Sequence, residues 1–191
     1  MRTGASLLAI VLILTGAPVA AQQIEIAASV PVRSPTGAGV RNLTFGVLTP
    51  ISGTTQNVSV VAAVAPVSGT VQSGEFRYDV AGLRGVTFTV GVPAQLTASG
   101  AAPLAVDFSG TQYGGYCVSR TAICTLTSFN PAAGSNIQVC RSTFFVWCSP
   151  FTPYPGGSVM RVYIGGVLSV PPTARAGVYT GTVTLTIVQV H

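Results

Sequence analysis

The sequence predicts an all-β fold, an antiparallel sandwich or barrel, and three observations predict it. Short runs of apolar and β-branched residues recur along the chain, separated by clusters drawn from its 22 glycines, 13 prolines and many serines. No segment carries the 3.6-residue apolar period of an amphipathic helix. The chain closes with "AGVYTGTVTLTIVQVH", in which Thr180, Thr182, Thr184 and Thr186 alternate with Tyr179, Gly181, Val183, Leu185 and Ile187. A period of two over that length puts Tyr179, Val183, Leu185 and Ile187 on one face and the threonines on the other, as in a half-buried strand. The alternation blurs from Val188 onward, where fraying is expected.

In chain order, residues 1 to 21 read as a secretory signal peptide. Arg2 supplies the positive start, an apolar run follows from Ala5 to Leu14, and Gly16, Pro18, Val19 and Ala21 lead to a cut before Gln22. The run is shorter than the roughly 20 apolar residues of a spanning helix, and no later stretch is apolar enough to span a membrane. Removing the first 21 of 191 residues leaves 170, enough for one domain with a sizeable core. Export places that domain in the periplasm, on the outer cell surface or outside the cell.

The mature chain then opens with "QQIEIAASVPV", which sets Ile24, Ile26, Ala28, Val30 and Val32 on one face. Such an extended segment suits strand addition, where main-chain hydrogen bonds give affinity and alternate side chains fill pockets. It either heads its own sheet or completes a neighbour's, in both cases as a partner for the C-terminal strand. Pro31 and the turn-like "RSPTGAG" favour its own sheet. Further strands are expected over 43–48, 58–64, 75–80, 86–92, 104–108, 123–126, 137–146, 159–170 and 178–190.

Charged residues make up 7% of the chain, against about 25% in an ordinary soluble domain. With Arg2 in the leader, eight dispersed arginines face four acids, a formal charge of about +4, and there is no lysine. Scattered arginines without interleaved aromatics read as solvated surface rather than a nucleic-acid interface. A surface so poor in charge repels its own copies weakly, which suits an assembly.

Cys117, Cys124, Cys140 and Cys148 form an even set without a C-x-x-C pair, the pattern of disulfides in an exported chain rather than of zinc. Three pairings are possible, and two of them follow from simple local topology. Local closure joins Cys117 to Cys124 and Cys140 to Cys148, whereas a nested hairpin joins Cys124 to Cys140 and Cys117 to Cys148 and needs a bulge. Either one staples residues 113 to 155. Within that segment Phe144, Phe145 and Trp147 are expected in the core, and Phe151 and Tyr154, flanked by prolines, are expected to be exposed and able to contact a ligand.

Catalysis finds little to work with. The single histidine is His191, and the mature acids are Glu25, Glu75, Asp79 and Asp107. Triads, carboxylate dyads and histidine metal sites need groups this chain barely owns, so neither an enzyme nor a cofactor is expected. Glu75 and Asp79 share a strand face and are expected on a solvated edge.

Three stretches carry a family resemblance: "NLTFG" at 42–46, "GEFRYDVAGLRGVTFTVGVPAQL" at 74–96, and "VYIGGVLSVPPTARAGVYTGTVTLTI" at 162–187. Together they resemble the bacterial secreted family called domain of unknown function 4402. The resemblance implies an immunoglobulin-like or pilin-like β-sandwich from a Gram-negative bacterium, with Phe45, Gly46, Gly82, Gly85, Gly165, Gly166, Gly177, Tyr179 and Gly181 as turn and packing positions. It implies no settled activity. The chain departs from fimbrial subunits in its central cysteines and in its "VQVH" ending. The function expected is a secreted surface or fimbria-like subunit assembling through β-strands with its own copies or other subunits, with a periplasmic chaperone as a further partner. The alternative is a monomeric glycan-binding adhesin that uses the aromatic loop.

Overall fold

The computed structural model describes residues 22–29, 37–63, 71–121, 124–144, 147–149 and 151–190. The leader, Val30, Val32 and Phe145 lie outside them. In chain order the described strands are β1 (Gln22–Ser29), β2 (Gly37–Arg41), β3 (Leu43–Leu48), β4 (Gln56–Val60), β5 (Val71–Gln72), β6 (Gly74–Asp79), β7 (Gly85–Gly91), β8 (Gln95–Leu96) and β9 (Leu104–Asp107). They continue with β10 (Gly114–Ser119), β11 (Thr127–Phe129), β12 (Ile137–Cys140), β13 (Thr143–Phe144), β14 (Trp147–Cys148), β15 (Val159–Ile164), β16 (Gly166–Val170) and β17 (Val178–Val190). The only helical pieces among the described residues are single 3-10 turns at Thr111–Tyr113 and Pro131–Ala133, and no described helix is long and apolar enough to cross a membrane.

The strands form an all-β sandwich. A six-stranded sheet runs in the order β12-β7-β17-β1-β3-β5, a five-stranded sheet in the order β11-β10-β15-β6-β2, and a four-stranded sheet in the order β4-β16-β9-β8. Tyr179, Val183 and Leu185 of β17 are buried and Thr180, Thr182 and Thr186 are exposed, so the period of two sorts the faces as the sequence predicts. Ile187 is half-buried, and β17 stays paired with β7 through Val190 opposite Gly85 rather than fraying. Pairing outlasts the alternation because main-chain hydrogen bonds do not depend on which side chains they carry.

One core joins the sheets. Phe88 of β7 meets Tyr116 of β10 and Phe129 of β11 edge-to-face, each at 5.5 Å between ring centres. Phe45, Phe76, Tyr78, Met160, Val162 and Leu168 complete its centre. The run 159–170, expected as one strand, is two, because Gly165 interrupts it. A Cβ there would collide with the carbonyl oxygen of Val60, and the Gly165 N–H donates to Tyr113 O at 2.7 Å. The chain turns at that close approach and passes from β6 and β10 as partners to β4 and β9.

Candidate functional site

Three places in the sandwich concentrate unusual structure, and the first is the slot that holds β1. That strand lies parallel to β17 and antiparallel to β3, the one parallel pairing among the described strands. Its register sets Ile24, Ile26 and Ala28 opposite Tyr179, Gly181 and Val183. The strand expected over 24–32 therefore spans 22 to 29, within its own sheet. β17 and β3 do not pair with each other, so β1 alone joins the two halves of the six-stranded sheet. Between Ile24 and Glu25 the β1–β3 register shifts, and Gly46, at φ 85°, takes a backbone conformation that a side chain would strain.

The second place is a charge cluster on the outer face of the five-stranded sheet. Glu75 is not on a solvated edge: it is 4% exposed. Arg77 Nε donates to Glu75 Oε1 at 2.7 Å, with Arg41 at 3.7 Å and Arg161 at 3.9 Å. Asp79, on the same strand face, is exposed as expected and accepts from the Ala81 N–H. Arg41 and Arg161 are themselves well covered and hold neighbouring loops, Arg41 donating to Ser73 O and Ala63 O and Arg161 to Thr121 O. Loops laid over the face thus bury a carboxylate that a bare sheet would expose. The only local signal was the Glu75–Arg77 spacing of two, and Arg41 and Arg161 arrive from distant strands.

Beside Glu75, Tyr163 is buried, and burial followed by the nearby carboxylate raises its pKa. Burial, then Tyr116, does the same to Tyr154. A folded-state pKa above the unfolded value means that the native state binds more protons in that range. The stability these two groups contribute is then fully present below the ordinary tyrosine value of 10.0 and is lost as pH rises through their folded values. An alkaline titration followed by phenolate absorbance is expected to show tyrosines that ionise late and together with unfolding. Six tyrosines titrating alike in the folded protein would contradict it.

The third place is a cleft of about 480 Å³ between β10, β11 and β12, lined by Tyr116, Thr125, Thr127, Gln138, Arg141, Thr143 and Tyr154, with both disulfides at its walls. The cysteines pair locally, Cys117 with Cys124 and Cys140 with Cys148. Each bridge closes a short excursion of the chain, Cys140 on the edge strand β12 and Cys117 on β10, and β10 and β12 lie in different sheets. Two disulfides fit an oxidising, exported environment. Phe151 is 85% exposed, as expected, whereas Tyr154 is 7% exposed and belongs to the core. The backbone sets that difference: Tyr154 N–H donates to Leu83 O and Gly82 N–H to Tyr154 O, pinning this residue against the sandwich. Phe144 and Trp147 sit on the small hairpin of β13 and β14.

Phe45 and Tyr179 are fully buried, Gly82 makes the turn before β7, Gly85 and Gly166 begin strands, and Gly177 and Gly181 flank Tyr179. No group of histidine, cysteine, aspartate and glutamate that would hold a metal occurs among the described residues. No protein-family model matches the chain, and no curated protein does.

Proposed function

We propose that this chain is a non-enzymatic structural subunit of an exported, cell-surface or fimbria-like assembly, built on a pilin-like sandwich of the kind that the resemblance to domain of unknown function 4402 implies. The observation that carries the reading is the place of β1. A terminal strand that fills a slot between two strands with no pairing of their own is exchangeable: an identical segment from a neighbour satisfies the same ladders without disturbing any other pair. Parallel pairing is slightly weaker per residue than antiparallel, which lowers the cost of release. Low surface charge supports close packing of copies. The signal peptide delivers the chain across the membrane, and a periplasmic chaperone is the partner that would guard an open slot. A second reading, a monomeric glycan-binding adhesin that uses the aromatic loop, keeps Phe151 as an exposed aromatic but loses the exposed Phe151–Tyr154 pair, because Tyr154 is 7% exposed.

The test is the migration of the secreted mature protein in SDS, with and without boiling, beside a form lacking residues 22 to 32. A boiling-sensitive ladder that disappears with the segment supports exchange between subunits. A monomer in every lane overturns assembly and leaves β1 as an ordinary strand of its own sheet.

A further inference from the structure

The cleft between the two disulfides is an open depression lined by exposed polar side chains, and strand assembly makes no use of it. Its volume of about 480 Å³ falls in the usual range of small-molecule sites, roughly 300–1,000 Å³. The hydroxyls of Tyr116, Thr125, Thr127, Thr143 and Tyr154 line it, and none has a hydrogen-bond partner among the described residues. Gln138 adds an exposed amide whose side-chain hydrogen bond among the described residues is a long one, 3.5 Å to Cys148 Sγ. Tyr116, also in the lining, is half-buried, and its ring is braced by Phe88 and Phe129.

Charge narrows the ligand. Among the described residues Arg141 is the one ionic side chain in the lining, and no acid is among them. One guanidinium nitrogen donates to Pro153 O at 2.7 Å, which fixes the head group, and its other donors have no partner among the described residues. Five hydroxyls, an amide and an aromatic face match the hydroxyls and C–H face of a sugar ring, and one fixed guanidinium matches one carboxylate. A phosphate or sulfate ester would call for more positive charge than a single arginine brings. We infer that the cleft binds a sugar acid, a saccharide unit of the uronate type, with its carboxylate on Arg141 and its hydroxyls on Thr125, Thr127, Gln138 and Thr143. The cleft borders β12, the edge of the six-stranded sheet, and β7 and β17 separate it from β1. Exchange of β1 therefore leaves it open on every subunit, and a fibre would present it many times over.

The experiment titrates the mature, disulfide-intact chain with D-glucuronate, methyl glucoside and acetate, following tyrosine NMR signals and heat. Glucuronate is expected to bind and to shift Tyr116, while the neutral sugar binds roughly tenfold or more weakly, the difference one charge-assisted hydrogen bond makes. Arg141→Gln is expected to bring glucuronate down to the level of methyl glucoside, with Arg141→Lys falling between. Thr127→Val, which removes no contact within the protein, is expected to weaken both sugars and keeps the test decisive if Arg141→Gln fails to fold. Three outcomes overturn the inference: glucuronate that does not bind, both sugars binding equally and indifferent to Arg141→Gln, or acetate competing as well as glucuronate. None of these readouts depends on whether the protein polymerises.

Discussion

A chain that lacks residues 22 to 29 is expected to lose its fold, and the peptide QQIEIAAS supplied separately is expected to restore it. β1 meets β17 at seven register positions and β3 at five, with ladders on both sides. Taking a strand out of the middle of a sheet leaves facing donors and acceptors open on both neighbours, β3 and β17. A net loss of about 1 kcal/mol per hydrogen bond, summed over both ladders, reaches the 5–15 kcal/mol that holds a whole domain together. Circular dichroism and thermal melting of the truncated chain, with and without peptide, check this. A truncated chain that melts like the full one would show that β1 is dispensable, and rescue by peptide would show that the slot accepts a strand from outside. That second result is the physical precondition for assembly, since a slot that folds only around its own covalently joined strand cannot exchange it.

The second large effect is expected at Glu75. Replacing it with alanine leaves Arg41 and Arg161 largely buried without a counter-charge, and removing one partner of a buried ionic group costs roughly 3–5 kcal/mol. Glu75→Gln keeps the shape and one acceptor but not the charge, and is expected to fall between alanine and the parent. Arg77→Ala is the control: that side chain is half exposed, and its contact with Glu75 is of the surface kind, worth about 1 kcal/mol or less. Denaturant midpoints of the three variants test the order. Equal, small losses in all three variants would mean that water reaches Glu75 and that the loops over it open freely.

The sequence made some elements legible and hid others for identifiable reasons. The strand 43–48 and the strand 178–190 lie where expected, because alternation and bounding turns are local properties. The strand expected over 123–126 is displaced: 124–126 carries no strand and pairing begins at Thr127, since the first bridge closes at Cys124 and the chain regains a partner in β10 only beyond it. Gly37–Arg41 and Gly114–Ser119, rich in glycine, carry little strand signal of their own; β10 pairs with β15 along its whole length, and β2 pairs with β6 across a register shift at Val40, because main-chain hydrogen bonds need no particular side chain. Tyr154 looked exposed between two prolines. Its main-chain bonds to Gly82 and Leu83, some seventy residues away, turn it inward.

By itself the sequence determined the class: all-β, with faces assigned by a period of two, a staple of four cysteines, and too few acids and histidines for the common catalytic constellations. Only the tertiary structure decided which strands meet and in which direction. Alternation says which side of a strand is wet and nothing about its neighbour, so the parallel seat of β1 between β3 and β17 had no local signature. The same holds for the local pairing of the cysteines and the burial of Glu75. Each depends on what is laid against a strand from elsewhere in the chain, and long-range packing makes that choice.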